Sequence, residues 1–198
     1  MVERRTRKPT ATRLTVDDWT AAALEAMARG GLAAVAVEPL AARLGATKGS
    51  FYWHFANRDA LIEAALHRWE ADHTDAVIAL VEAETDPLSR LRTLIGTVME
   101  STAIPGADAI ELAMLATADH PHVAAVLTRV TQKRLAYTAQ LFEGLGLAPP
   151  EARHRALLAV SAYLGHAQLA HATPTLVPGT PQERRTYVDR LIGLVTGP

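Results

Sequence analysis

The residues best suited to recognition chemistry lie together in the first third of the chain. They form a basic and polar run followed by three consecutive aromatic rings, namely Thr47, Lys48, Gly49, Ser50, Tyr52, Trp53 and His54. Side chains of these types bind phosphate oxygens and the edges of bases. Three successive rings cannot all face inward on one helix, so part of this set is expected at the surface. The run therefore predicts a nucleic-acid-binding surface, whereas the neighbouring Phe51 and Phe55 are expected to belong to a core.

Two short predicted helices position this run. The first begins near Val37, carries Pro39 in its first turn, where the missing N–H costs nothing, and ends at Gly45. Gly45 can adopt the positive φ of a tight turn. Thr47 then caps a second helix over about residues 48–55. Such a pair is typical of a helix-turn-helix, which inserts the N-terminal part of its second helix into the major groove of DNA.

The segment Gly45-Ala-Thr-Lys-Gly-Ser-Phe-Tyr-Trp-His-Phe55, followed by Asn57-Arg-Asp-Ala-Leu61, resembles the DNA-binding signature of the TetR (tetracycline-repressor-like) family of transcriptional regulators. The resemblance covers about residues 14–66, and it includes the run Ala21–Leu24 and the turn at Gly30-Gly31-Leu32. It implies an all-α chain of about nine helices. Three helices would form an N-terminal DNA-binding domain with a helix-turn-helix, and the others a C-terminal regulatory and dimerisation bundle.

The resemblance also implies roles for individual residues. Thr47, Lys48, Gly49, Ser50, Tyr52, Trp53 and His54 match positions of the recognition helix, and Arg58 matches the basic phosphate contact that follows it. One departure is Val37, where the family usually has a Thr or Ser that caps the helix and touches phosphate. Glu38 beside it is anionic, so it is expected to tune specificity or to be neutral.

Composition excludes several other classes of protein. The chain has no cysteine, which excludes disulfides and thiolate metal sites. The charged N-terminus leads into no apolar segment of the signal-peptide type, and no apolar run is long enough to span a bilayer, so we expect a cytoplasmic protein without a membrane partner. No nucleophile–base pair or phosphate loop is visible, and Gly144-Leu-Gly146 is interpreted as a helix end. We therefore expect neither an enzyme nor a cofactor.

Charge is unevenly distributed although the net charge is only -1. Residues 1–58 carry nine Lys/Arg against five Asp/Glu, and the remaining 140 residues carry 11 against 16. The first residues form a basic arm that contains Arg4, Arg5, Arg7, Lys8 and Arg13. This arm could neutralise phosphates or enter a minor groove, or it could be a solvated tail; the sequence leaves both alternatives open.

Apolar periodicity predicts helices along nearly the whole chain and a division into three parts. We expect a flexible basic arm at residues 1–13, a helix-turn-helix domain at residues 14–60, and a ligand-binding and dimerisation domain at residues 61–198. In the third part, six side chains could project into a cavity between helices, although each could equally be core or surface: Trp69, His73, Met99, Met114, Tyr137 and His166.

A competing hypothesis of a different class comes from two Glu-x-x-His motifs. Glu70 with His73, and Glu151 with His154, have the spacing of carboxylate di-iron bundles, and Glu100 and Glu111 could complete such a site. The context is weak, because Glu151 follows Pro149-Pro150 in a first helical turn, where an acid complements the helix dipole. A helical metal-binding protein is therefore the alternative.

The last two predicted helices favour self-association. Residues 151–172 alternate small residues with leucines, and residues 181–195 have an apolar side. A single helix-turn-helix reads too short a site to be specific, so two copies are expected on a palindromic operator. The sequence thus predicts a homodimeric regulator of double-stranded DNA, in particular a repressor that responds to a small molecule of unknown identity.

Overall fold

The computed structural model describes residues 14–104 and 106–197, and the basic arm at residues 1–13 lies outside that range. The described residues form α-helices and short helical turns, with no strand among them. The helices are α1 (Val16–Gly30), α2 (Val37–Arg43), α3 (Lys48–Tyr52), α4 (Arg58–Glu70), α5 (Ala76–Glu82), α6 (Pro87–Ser101), α7 (Ala109–Leu115), α8 (Pro121–Gly144), α9 (Pro149–Ala172) and α10 (Pro181–Thr196). The predicted all-α fold class is confirmed.

Side-chain caps explain where several of these helices begin. Thr15 and Thr180 form capping boxes with Asp18 and Glu183 at the starts of α1 and α10. Asn57 accepts a hydrogen bond from the backbone N–H of Ala60 and so starts α4. α2 has no such cap, because Ala36 occupies its N-cap position and Val37 is its first residue.

One rod that the sequence predicts as a single helix contains a π-helical turn. α4 passes into the π-helical residues Ala71–Asp75 and then into α5, with no break in helical dihedral angles. The π-helical turn holds Thr74 in the interior, where its hydroxyl accepts a hydrogen bond from Nε of Arg134 on α8. Such turns occur often at functional sites. Periodicity alone could not predict the extra residue in this turn.

The interior has two apolar clusters. The first joins α1–α4 with α7 and α8, and it is centred on Trp19, Phe51 and Leu61. Trp19 and Phe51 meet edge to face with their ring centroids 5.4 Å apart. The second joins α5, α6, α8, α9 and α10 around Phe142 and Ile192. Because α8 contributes to both clusters, it connects the N-terminal helices to the body. No helix in the described parts of the chain is long and apolar enough to cross a membrane.

Candidate nucleic-acid interface and body cavity

The third helix separates its aromatic rings into a buried set and an exposed set. Phe51 is fully buried and Phe55 is nearly so, as expected. On the same turn the side chains of Tyr52 and Trp53 are 53% and 82% exposed. α3 is shorter than predicted, because it ends at Tyr52 and the N–H of His54 bonds back to the carbonyl of Phe51. The consequence is a ring-bearing surface that faces outward at the end of α3.

The start of α3 presents small and polar groups at the same surface. Thr47 caps the helix by accepting a hydrogen bond from the N–H of Ser50, at 3.2 Å. Gly45 has a φ of 65°, so the turn between α2 and α3 uses the left-handed conformation that glycine adopts without strain. Lys48 and Gly49 are exposed beyond this turn. These residues can approach a phosphate or a base edge without rearrangement of the fold.

Lys48 is paired with the acid that precedes it on α2. Its Nζ lies 2.6 Å from Oε1 of Glu38, and both side chains are exposed. The hydrogen bond to Lys48 lowers the pKa of Glu38, and the same bond raises the pKa of Lys48. The positive charge at the start of α3 is thus partly compensated within the protein.

Arg58 contacts the protein rather than pointing freely to the outside. Its Nε donates to the carbonyl of Val35 at 2.6 Å, and its Nη2 donates to the carbonyl of Leu32. These two bonds tie the start of α4 to the connection between α1 and α2. Arg58 therefore has a structural role, while its third nitrogen, Nη1, lies 3.7 Å from Oδ1 of Asp59. The phosphate contact that the sequence predicts for Arg58 stays a prediction.

Behind the helix-turn-helix, charged side chains connect the N-terminal helices to the body. Arg68 on α4 donates to the carbonyl of Asp17 at 2.8 Å and to the hydroxyl of Thr20 on α1. Glu70 at the end of α4 binds Nη2 of Arg129 on α8 at 2.6 Å. Met114 of α7 is buried in the first apolar cluster, against the N-terminal helices. Movement in the body can therefore reach the recognition surface through α4, α7 and α8.

A cavity of about 70 Å³ lies in the body between the π-helical turn, α5, α6, α8 and α9. Most of its wall is aliphatic, and a smaller part is polar. It is lined by His73, Thr74, Val77, Ile78, Leu94, Ile95, Val98, Arg134, Tyr137, Thr138, Ala159, Val160 and Tyr163. This composition is typical of sites for small molecules, which combine an apolar lining with a few oriented polar groups.

A buried charged network closes the polar end of the cavity. Arg134 pairs with Glu111 of α7, and both side chains are largely buried. The hydroxyl of Tyr163 lies 2.9 Å from Oε2 of Glu111 and 3.1 Å from Oδ1 of Asp108. Burial is the main cause that raises the pKa of Asp108, and burial likewise raises the pKa of Tyr163. The guanidinium of Arg134 also lies over the Trp69 ring, 5.4 Å from its centroid.

The six side chains that the sequence suggests as ligand contacts fall into two groups. His73 and Tyr137 line the cavity, and the Tyr137 hydroxyl lies 2.8 Å from Glu82, with burial as the first cause of a pKa raised to about 12. The other four do not line it. Trp69, Met99 and Met114 are buried in the apolar clusters, and His166 stacks on Tyr187 with ring centroids 5.2 Å apart.

Sequence reasoning missed four polar residues that line the cavity, namely Thr74, Arg134, Thr138 and Tyr163. Arg134 and Thr138 lie one turn apart on α8, the helix that contributes to both apolar clusters. A polar pair at this spacing on such a helix is a signal that could have indicated a polar site. Thr74 carried no signal, because the π-helical turn that directs it inward cannot be read from periodicity.

The di-iron alternative is wrong for the described residues. Glu70 pairs with Arg129, and Glu151 pairs with Arg155 on its own helix at 2.6 Å. His73 stacks on Trp69, and His154 is exposed on α9. Throughout residues 14–104 and 106–197, no three His, Asp or Glu side chains are grouped so that they could hold a metal ion. Both motifs have the spacing of residues on a helix, but their side chains do not meet at one site.

The fold and the exposed end of α3 define a DNA-binding regulator of the helix-turn-helix class. Residues 20–65 match the family described as bacterial regulatory proteins, tetR family. This match confirms the resemblance drawn from the sequence. No curated protein matches the chain with significant sequence similarity.

Solved structures of transcriptional regulators share the whole fold. A transcriptional regulator from Rhodococcus sp. Rha1 superposes with a TM-score of 0.74 at 23% identity, over 92% of this chain and 96% of that one. A TetR-family transcriptional regulator from Streptomyces coelicolor gives 0.68 at 20% identity, over 91% and 89%. AibR, solved in complex with isovaleryl coenzyme A and operator DNA, gives 0.67 at 16% identity, over 92% and 98%. At these identities the similarity shows the fold alone.

Proposed function

We propose that the protein is a ligand-responsive transcriptional repressor that binds a palindromic operator as a homodimer. The observation that carries the proposal is the exposure of Tyr52 and Trp53 on a helix whose inner rings are fully packed. Tyr52 touches the buried Phe51 ring at its edge, and the exposed parts of Tyr52 and Trp53 suit contact with phosphates and base edges. The proposed contact set is Thr47, Lys48, Gly49, Ser50, Tyr52, Trp53 and His54, with Arg58 as the basic phosphate contact that follows them.

The domain boundaries follow from this assignment and are part of the proposal. Residues 14–60 would form the DNA-binding domain and residues 61–198 the ligand-binding and dimerisation domain. The arm at residues 1–13 carries Arg4, Arg5, Arg7, Lys8 and Arg13 next to the DNA-binding domain. Its phosphate or minor-groove contact stays a prediction, with a solvated tail as the alternative.

Large apolar side chains on α9 and α10 support the homodimer. Leu157, Leu158 and Leu169 on α9 are 54%, 63% and 53% exposed, and Leu194 on α10 is 79% exposed. Small residues accompany them on α9, including Ser161 and Gly165, which allow a second helix to approach closely. An apolar surface of this kind on two adjacent helices is typical of an interface, and a twofold pair buries it on both copies.

The body cavity is the proposed effector site. Half-sites on B-DNA lie about 34–36 Å apart or at multiples of that distance. A ligand that favours a different separation of the two recognition helices therefore weakens operator binding. A coupling free energy of about 1–3 kcal/mol is sufficient for a 5- to 150-fold change in affinity. α7 is suited to transmit it, because Glu111 belongs to the network of the cavity and Met114 to the core of the N-terminal helices.

The test starts with selection of operator sequences from a random duplex library by the full-length protein. We expect a palindromic consensus, and a dimer mass by light scattering. Tyr52→Ala should weaken binding to that operator at least tenfold at constant salt and leave the dimer and its melting temperature unchanged. Lys133→Ala is the control, because it removes another exposed residue far along the chain, on α8. A recovered consensus that Tyr52→Ala binds normally would contradict the recognition surface.

A further inference from the structure

We propose that the effector is a small neutral molecule whose buried part is aliphatic and ends in a hydrogen-bonding oxygen, such as a ketone or an alcohol, rather than a carboxylate. The inference rests on the proposed function, in which the body cavity binds the effector. It adds the chemical class of that effector. It depends on three features of the cavity: its unpaired hydrogen-bond donors, its charge balance and its size.

The first feature is a pair of donors on α8 that the protein does not use. The side chain of Thr138 is 4% exposed and lines the cavity, and its hydroxyl has no hydrogen-bond partner in residues 14–104 and 106–197. Arg134, one turn earlier, uses Nε for Thr74 and Nη1 for Glu111, whereas its Nη2 makes no bond to the described residues. Both side chains line the cavity, so a ligand oxygen inside it could accept hydrogen bonds from these donors.

The second feature is that the charge of Arg134 is already balanced. Glu111 is its ion-pair partner, and the carboxyl of Asp108 lies 3.1 Å from the Tyr163 hydroxyl, so two carboxyl groups stand near one guanidinium. Burial is the main cause that raises the pKa of Asp108, and the charge of Glu111 raises it further. Burying a further anion would cost more than burying a neutral oxygen, because no second cation is available among the described lining residues except the imidazole of His73.

The third feature is size. The cavity volume of about 70 Å³ is roughly half that of an engineered cavity of about 150 Å³ that binds benzene. Val77, Ile78, Leu94, Ile95 and Val98 form its aliphatic wall, and His73 marks its solvent-facing side. This space encloses only the end of a short branched carbon chain, and the rest of a ligand would lie on the solvent-facing side, past His73. A coenzyme A thioester could insert only its acyl end.

The experiment compares two probes of nearly equal shape, 3-methyl-2-butanone and isobutyrate, on the full-length dimer. Binding is followed by methyl NMR on Ile78 and Ile95, which line the cavity and are unchanged in every variant. We expect the ketone to bind at least tenfold more tightly than the carboxylate. Thr138→Val keeps the shape and removes the hydroxyl, so it should weaken the ketone by about two- to tenfold. Equal or tighter binding of isobutyrate, or no effect of Thr138→Val, would overturn the proposal.

A second variant locates the probe. Ala159→Leu adds carbon atoms to the lining and should abolish the ketone-induced shifts, with the dimer mass and melting curve serving as the check on folding. Persistence of the shifts would place the ketone elsewhere and overturn the assignment, as would the absence of any ketone binding to the unaltered protein.

Operator affinity measured on the same samples separates this inference from the proposed function. Ketone binding with unchanged operator affinity would support the ligand class and contradict the ligand-responsive part of the function. Intact operator binding without ketone binding would contradict the ligand class and leave the DNA-binding function in place.

Discussion

The ammonium group of Lys48 lies 2.6 Å from Oε1 of Glu38, across the turn between α2 and α3. The basic residue at the start of the recognition helix is therefore bound to an acid on the same outer surface before any DNA is present. If Lys48 contacts phosphate as proposed, that phosphate competes with Glu38 for the ammonium group. Such competition would reduce the part of the affinity that does not depend on sequence, and so it would favour discrimination between operator and other DNA.

We expect Glu38→Gln to raise affinity for nonspecific duplex DNA by about two- to fivefold, the range for an exposed ion pair. It should also steepen the dependence of log K on log salt by about one, because one more counterion is released. Fluorescence anisotropy across a salt series measures both quantities. Asp75→Asn is the matched control, since Asp75 pairs with Lys133 on the body, and it should change neither. An unchanged salt slope for Glu38→Gln would mean that Lys48 does not contact phosphate.

Arg58 allows a structural role to be separated from a DNA contact. Two donors of its guanidinium bond to the carbonyls of Val35 and Leu32. Arg58→Lys keeps the charge but cannot make both bonds, so it should destabilise the protein by about 1–3 kcal/mol. The free energy of unfolding in urea measures this change. Arg153→Lys on α9 is exposed and should be neutral. A stable Arg58→Lys protein with reduced operator affinity would instead support the phosphate contact.

The helix boundaries could be predicted because local chemistry sets them. Thr47 caps α3 where the sequence places it, and Pro149 begins α9 in the predicted first turn. Thr15 and Asn57 cap α1 and α4 by the same local chemistry. The exposed rings at Tyr52 and Trp53 followed from the same local reasoning, because a helix has only one inner face.

The contacts that depend on tertiary packing could not be predicted. The bonds from Arg58 to the carbonyls of Val35 and Leu32 have no local signal, because these partners lie more than twenty residues earlier in the chain. The lining of the cavity is set by the π-helical turn and by the pairing of Arg134 with Glu111, two features without a periodic signal. Only His73 and Tyr137 of the six suggested ligand residues reach the cavity, because the others complete apolar clusters or stack on other rings.

Asp108 provides a pH-dependent test of the network at the cavity. Burial raises its pKa in the folded protein above the ordinary value of 3.8. Between pH 3.8 and the folded pKa, the folded state therefore binds more protons than the unfolded state. The contribution of Asp108 to stability is therefore lost as pH rises through its folded pKa. We expect Asp108→Asn to be more stable than the unaltered protein at pH 7, with the difference shrinking as pH falls toward 3.8. Urea midpoints at several pH values measure this.

Asp119→Asn is the control for that series, because Asp119 is exposed in the connection between α7 and α8. At each pH its midpoint should stay close to that of the unaltered protein. If Asp108→Asn were less stable than the unaltered protein at pH 7, the hydrogen bond from Tyr163 to the ionised carboxylate would outweigh the cost of burial, and the charge argument for a neutral ligand would weaken.

The proposed homodimer can be tested through α9, by the oligomeric state of variants rather than by their stability. Leu157 is 54% exposed on α9, and Leu80 is 51% exposed on α5. If α9 and α10 form the interface, Leu157→Arg buries an unpaired charge against its own copy across the twofold axis, so the dimer should dissociate to monomers. Leu80→Arg, with the same change at nearly equal exposure, should remain dimeric. Light scattering at micromolar protein gives the mass of each variant.

Because a single helix-turn-helix reaches only one half-site, the monomeric variant should also lose operator binding while keeping its helical circular dichroism. A dimeric Leu157→Arg protein would place the interface on another surface of the body.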